Sequence, residues 1–249
     1  MRALDILLAA ALLLVLAIPI IALAIAIRID SPGPALYRSR RVGRAGREFV
    51  MLKFRKMPDG AGGCLLTSPA DTRFTRLGAF LARTKLDELP QLLNVLIGDM
   101  SLVGPRPEDP KFVALRAEEL EPVLRVRPGI TGLSQIAFAR EAEILDPENR
   151  EQDYVARILP AKIQLDSMYV ALRSTRLNLR VLVWTGVAVV LRRDVAVNRK
   201  SAAMGVRRRP SLQPATVEHS SVEPITLEPA TQGAALETSP VRLAQGGSR

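Results

Sequence analysis

The first feature of the chain is a run of apolar residues from Leu4 to Ile27, broken only by Asp5. At ~1.5 Å per residue, a straight helix of that length reaches across a hydrocarbon core of ~30 Å. Pro19 stands in the middle of the run, where it removes a helical N–H and clashes with the preceding turn, so a kink is predicted there. Three readings compete: a secretory signal ending near Ala24-Ile25-Ala26, a kinked spanning helix, and a re-entrant hairpin that returns to the face it entered. The run is long for a signal. Arg28, Arg38, Arg40, Arg41, Arg44 and Arg47 follow directly, an arginine excess that puts the next segment on the cytoplasmic side.

Beyond residue 30 the pattern shortens. Ser31-Pro32-Gly33-Pro34 reads as a turn, and Ala35–Arg41 and Glu48–Met57 read as two strands about Gly43-Arg44-Ala45-Gly46. A Gly-, Pro- and Ser-rich loop is predicted over 58–70. Phe74, Leu77, Phe80 and Leu81 then recur at helical spacing, with Arg73, Arg76 and Arg83 on the polar side. In the stretch 86–98, Leu89, Leu92, Leu93 and Leu96 make an apolar helix face, Pro90 restricts where the helix begins, and Gly98 fits its end. Residues 98–108 show neither period. Asp146–Arg173 is helical in pattern. Leu177–Leu191 is apolar but short for a span, and reads either as an interfacial helix anchored by Trp184 and flanking arginines or as a buried core helix. From 201 onward Ser, Pro, Thr, Gln, Glu and Ala dominate, and disorder is expected. The expected organisation is an anchor over 1–29, a mainly helical α/β domain over 30–200, with a small β-hairpin and amphipathic interfacial helices, and a disordered tail over 201–249.

Composition narrows the chemistry. Of 249 residues, the only cysteine is Cys64 and the only histidine is His219, out in the tail. This leaves no disulfide within the chain and makes Ser-His-Asp, Cys-His and His-rich zinc sites untenable. The net charge of +10 suits anionic partners, but aromatics at 4% argue against nucleic acid, whose single-strand binders interleave stacking rings with basic groups. Neither a GxxxxGK[ST] loop nor a GxGxxG turn is present.

Carboxylates and cations remain. Asp87 and Glu88 fall at a helix start, where free N–H groups favour ionised carboxylates and can help hold a phosphate. Such a carboxylate suits attack on phosphorus or a hold on Mg²⁺. Taken alone, the pair reads first as simple capping, with Asp87 as N-cap. Arg106 is held between Pro105 and Pro107, a stiff bidentate donor that suits a diphosphate. Arg125, Arg127 and Pro128-Gly129-Ile130-Thr131-Gly132 form a second basic turn whose N–H groups suit phosphate oxygens, or a plain loop.

In order along the chain stand the apolar anchor with Pro19, Ser31-Pro32-Gly33-Pro34, Lys53-Phe54-Arg55-Lys56-Met57, Leu86-Asp87-Glu88-Leu89-Pro90-Gln91, the block from Gly98 to Pro107, and Arg127-Pro128-Gly129-Ile130-Thr131-Gly132. Together these resemble the bacterial sugar transferase family, the monotopic phosphoglycosyl transferases, over roughly residues 1–195. The resemblance implies a Mg²⁺-dependent enzyme on the cytoplasmic face of a bacterial inner membrane. It would transfer a phosphosugar from a nucleoside-diphosphate sugar, usually a UDP-sugar, to a polyprenyl phosphate, and so start exopolysaccharide, capsule or O-antigen synthesis. It implies that Asp87 is the nucleophile, that Glu88 holds Mg²⁺ or takes a proton, and that Lys53, Arg55, Arg83, Arg106 and Gln135 bind substrate. It also favours the re-entrant anchor and the compact form of the family. The chain departs from the pattern at Ile18-Pro19, at Leu133-Ser134-Gln135 and in an insert over about 139–160, which leaves the sugar open. The alternatives are a Mg²⁺-dependent nucleotide-sugar hydrolase and a basic membrane scaffold for polysaccharide assembly.

Overall fold

The apolar run folds as two helices, α1 (Arg2–Val15) and α2 (Ala17–Asp30), bent by 63° about Leu16. Pro19 is the third residue of α2, where its missing N–H is harmless, while its ring conflicts with a helical carbonyl at Val15 and breaks the helix there. In the computed structural model, which describes residues 2–68, 71–199 and 201–207, no single helix is long and apolar enough to cross a membrane. The bent pair passes that test only when its halves are taken together.

The predicted hairpin is present, its first strand shifted by one residue and its second starting at Glu48 as expected but ending three residues early. β1 (Leu36–Val42) pairs antiparallel with β2 (Glu48–Phe54), from Leu36 opposite Phe54 to Val42 opposite Glu48. Its tip is a tight turn over Arg44–Gly46 with Ala45 left-handed. α3 (Arg76–Thr84) is capped by Thr75, whose hydroxyl accepts from the Gly78 N–H at 2.9 Å. Gly78 lies so close to the Lys56 carbonyl that no Cβ fits between them.

α4 (Gln91–Ile97) ends, as expected, on left-handed Gly98, whose N–H bonds the Asn94 carbonyl at 3.1 Å. The Arg2 guanidinium crosses to this end and donates to the carbonyls of Val95 (2.6 Å) and Met100 (3.1 Å). A cation there complements both the dipole and the unpaired carbonyls of a helix C-terminus. At the side of α4, buried Asn94 binds the edge of β2. Its Oδ1 accepts from Leu52 N–H at 3.0 Å and its Nδ2 donates to the Val50 carbonyl at 2.7 Å.

Residues 98–108 are not wholly irregular. β3 (Ser101–Val103) follows α4, α5 (Pro110–Leu115) and α6 (Ala117–Leu120) come next, and β4 (Gly129–Thr131) returns parallel to β3. The pair needs bare backbone: a Cβ on Gly104 would lie 2.6 Å from the Arg127 carbonyl oxygen. Three-residue strands are too short for alternation to reveal. Then come α7 (Leu133–Ala137), α8 (Glu141–Ile144), α9 (Arg150–Asp153), a π-helical turn over Tyr154–Ile158, and α10 (Leu159–Leu172). α11 (Thr175–Val189) has two apolar faces: Leu177 and Val181 are buried in the core, while Leu179 and Val183 face outward.

β5 (Val195–Val197) and β6 (Met204–Val206) close a last hairpin, with Ala202 buried. Order thus extends past the boundary expected at 201, because a few apolar residues in register suffice to cover the core. The rest of the expected tail, from 208, lies outside the described residues. The described residues fall in one compact unit, and its largest core cluster joins Ala9 of α1 to Met51, Val95, Leu133 and Val181. The mainly helical α/β character is as expected.

Asn94→Ala leaves the Leu52 N–H and the Val50 carbonyl without their side-chain partner. The expected loss is about 2–4 kcal/mol of unfolding free energy, read from denaturant titration of the purified chain. A loss below about 0.5 kcal/mol, the usual surface range, would mean that this edge is satisfied without Asn94.

Candidate active site

Lys85 takes a left-handed conformation (φ 60°) at the end of α3 and turns the chain. A single 3₁₀ turn, Leu86–Glu88, follows, and Pro90 then leads into α4. Asp87 and Glu88 therefore sit on a separate turn before the helix. Asp87 caps nothing: its side chain turns inward and the residue is only 2% exposed.

Cations surround the pair. Lys56 Nζ lies 3.0 Å from Asp87 Oδ2, whereas Asp87 Oδ1 is buried without a hydrogen-bond partner among the described residues. Lys53, at the end of β2, donates to Glu88 Oε1 at 3.0 Å, and Arg106 approaches the same oxygen at 3.8 Å. Burial pushes the Glu88 carboxyl up, but the Lys53, Arg106 and Lys85 charges outweigh it and hold the group well below its ordinary value. Lys53 is lowered by burial, with Arg106 and Lys56 adding, and the attraction of Glu88 does not restore it. The Glu88 shift comes from the surrounding cations, whereas the Lys53 shift comes first from burial.

A cavity of about 70 Å³ opens beside this cluster, lined by Lys85, Glu88, Arg106, Gln135, Glu141 and Lys162 together with Phe138 and Ala139. Behind it runs a buried polar chain. Lys162 forms an ion pair with Glu141 and donates to the Tyr154 hydroxyl at 3.2 Å, which donates to Glu108 Oε1 at 2.9 Å. Burial raises the Glu141 carboxyl, but Lys162 and Arg106 reverse that and hold it low. Asp166, one turn along α10 from Lys162, is the opposite case. Its Oδ1 has no partner among the described residues, and burial raises its pKa to about 7.

Of the residues expected to bind substrate, the fold brings Lys53, Arg106 and Gln135 to Glu88. It does not bring Arg55, which is buried with its terminal nitrogens on the Pro32 (2.6 Å) and Ser31 (2.7 Å) carbonyls and clamps the turn after α2. Arg83 is exposed on the last turn of α3 and does not line the cavity. Strand alternation from Lys53 points to Arg55, but β2 ends at Phe54, so alternation no longer holds and Lys56 reaches Asp87 instead. Lys56, Lys85, Glu141 and Lys162 were missed. Lys56 lies within a recognisable motif and Lys85 flanks one; Glu141 and Lys162 meet only through tertiary packing.

An unpaired carboxylate oxygen among four cations can bind a polyanionic phosphate ester and attack its phosphorus. Among the described residues no cluster of three or more metal-ligating side chains occurs. The two carboxylates, one with a free oxygen, fit Mg²⁺, which characteristically takes one or two carboxylates and completes its shell with substrate phosphate and water.

Sequence comparison gives a consistent picture. A family model described as bacterial sugar transferase matches residues 1–193. The UDP-glucose:undecaprenyl-phosphate glucose-1-phosphate transferase of Xanthomonas campestris pv. campestris is 38% identical over 177 residues, covering 68% of this chain and 34% of that protein. The protein of the same name from Caulobacter vibrioides is 46% identical over 149 residues, 56% of this chain and 54% of its own. An exopolysaccharide production protein of Rhizobium leguminosarum bv. phaseoli is 38% identical over 203 residues, 77% of this chain and 95% of its own. The chain thus spans about a third of the first relative's length and about half of the second's.

Asp166 yields a prediction with a definite sign. Its folded pKa of about 7 lies above the ordinary 3.8, so the fold favours the protonated form. Its stabilising contribution is full below 3.8 and is lost as pH rises through about 7. The stability of Asp166→Asn relative to the unsubstituted chain is expected to rise across that window in chemical denaturation at stepped pH. A flat difference would place the proton elsewhere.

Proposed function

The chain belongs to the bacterial sugar transferase family, and from that membership we propose that it transfers a phosphosugar from a UDP-sugar to undecaprenyl phosphate. The product is an undecaprenyl diphosphosugar, the by-product is UMP, and the role is to begin an exopolysaccharide, capsule or O-antigen. The observation that carries this reading is Asp87, a buried carboxylate with one oxygen on Lys56 and the other unpartnered, beside the cationic cavity at Glu88.

Asp87 Oδ1 attacks the sugar-linked phosphorus, the bond from that phosphorus to the UMP oxygen breaks, and UMP leaves. An oxygen of undecaprenyl phosphate then attacks the same phosphorus, breaking its bond to Asp87 and restoring the carboxylate. Lys53, Lys56 and Arg106 neutralise charge on the phosphates, and Lys56 orients Asp87 through Oδ2. Glu88 holds Lys53 and Arg106 in place. Mg²⁺, held by Asp87 and Glu88, would supply further charge neutralisation on the diphosphate. Because Asp87 is 2% exposed, substrate entry has to displace part of the Leu86–Glu88 turn or its cover.

The membrane assignment belongs to the same proposal. Leu7, Leu14, Val15, Ile18 and Ile29 of the bent α1–α2 pair are more than 60% exposed, a surface that water does not favour. The bend supports a re-entrant anchor on the cytoplasmic face of the inner membrane, with the outward face of α11 lying in the same interface.

The test is a panel of labelled UDP-sugars with undecaprenyl phosphate and Mg²⁺, with Asp87→Asn as comparison. The expected result is lipid-linked product with one or more sugars, a fall of at least ~10³-fold in Asp87→Asn, and phosphosugar label on the protein when the lipid is withheld. UMP release that ignores the lipid would instead indicate a hydrolase. Equal product formation by Asp87→Asn would remove the nucleophile assignment.

A further inference from the structure

A second cavity, larger than the one at Glu88, lies elsewhere in the domain. It has a volume of about 270 Å³, and its walls include Arg2 and Asp5 of α1, Arg44 of the hairpin tip, Arg125, Arg127 and Arg173. It shares no lining residue with the cavity at Glu88. Five guanidiniums and one carboxylate give the wall a formal charge of about +4.

Three of these arginines have structural partners. Arg2 caps α4, Arg127 Nε donates to the Gly98 carbonyl at 3.0 Å, and Arg125 is paired with Glu121 at 2.8 Å. The guanidiniums of Arg44 and Arg173 have no hydrogen bond or ion pair among the described residues. They come from distant points of the chain, the β1–β2 tip and the end of α10, yet line one half-open cavity. Like charges gathered in a concave site are unfavourable unless an anion offsets them, and guanidiniums pair with phosphate oxygens in a fork geometry.

The surroundings indicate where that anion resides. The cavity lies at the first turn of α1 and at the α10–α11 corner. The same two places carry outward apolar side chains: Leu4 (50% exposed) and Leu7 (67%) on α1, Leu172 (46%) and Leu179 (64%) at the corner. A cationic pocket formed by elements that also carry exposed apolar residues matches the boundary between acyl chains and headgroups. We propose that this cavity binds the headgroup phosphate of an anionic phospholipid, a site separate from the Asp87 centre, with Arg44 and Arg173 as its principal phosphate donors.

The test uses the full chain in uncharged detergent and follows thermal unfolding with added dioctanoyl phosphatidylglycerol, dioctanoyl phosphatidylcholine or inorganic phosphate. The expected result is a saturable rise in Tm with phosphatidylglycerol that exceeds the rise with phosphatidylcholine. In Arg44→Gln/Arg173→Gln the concentration needed should increase at least ~10-fold. Arg40→Gln/Arg47→Gln removes the same charge from exposed positions outside the cavity and should respond like the unsubstituted chain. Equal weakening in both pairs, or no preference for phosphatidylglycerol, overturns the site. A rise of the same size with inorganic phosphate, abolished in the Arg44/Arg173 pair, overturns the lipid as its source and leaves a soluble phosphate. None of these readouts depends on sugar transfer, so the inference stands or falls apart from the proposed activity.

Discussion

The structure turns on one buried amide. Asn94 offers β2 what a third strand would offer, an acceptor for Leu52 N–H and a donor for the Val50 carbonyl, so α4 is fastened to the sheet edge in a single register. Lys53 is the next residue of β2, and Glu88 lies on the turn that leads into α4. The ion pair between them is a consequence of that fastening. A second close contact sets the other pair: Gly78 lets α3 lie directly on the Lys56 backbone, and Thr75 N–H bonds the Lys56 carbonyl at 3.0 Å. The two lysines are thereby placed by backbone and amide contacts, while Glu88 and Asp87 meet them from the chain between α3 and α4.

This placement leaves the cluster with more cations than carboxylates. Buried ion pairs roughly offset their own desolvation, so Lys53–Glu88 and Lys56–Asp87 are poor stabilisers. Their excess of cations is better matched to an incoming phosphate. In the buried chain behind the cavity, Glu141 is ion-paired with Lys162, and Lys162 is held by Tyr154.

Much of the fold was legible in the sequence because its signals are local. Pro19 marks the break between α1 and α2, Gly98 ends α4, and alternation reveals β1 and β2. Asp87, Glu88, Lys53, Arg106 and Gln135 were legible chiefly through the family resemblance, since an Asp-Glu pair at a helix start is by itself an ordinary cap. The failures share a physical cause. Arg55 and Lys56 are adjacent basic residues at the point where β2 ends, and only tertiary contact determines that one clamps Ser31–Pro32 and the other reaches Asp87. Lys162 and Glu141 are 21 positions apart on different helices. β3 and β4 are three residues each, and β6 lies in a segment whose composition predicts disorder.

The anchor and the acidic pair are linked more directly than the chain order implies. α4 has seven residues, about 10 Å at ~1.5 Å per residue. Its C-terminal carbonyls are held by Arg2, at the first turn of the anchor, and its N-terminus follows Glu88. Ala9 of α1 is wholly buried in the same core cluster as Val95 of α4. A short helix gripped at one end by α1 and along its side by β2 has little freedom to tilt alone. In the proposed membrane-bound state, the depth of α1 would therefore set the height of Asp87 and Glu88 above the apolar phase. The proposed transfer to a membrane-tethered phosphate would need that height to be constant, and Arg2 together with the packing of Ala9 supplies the connection.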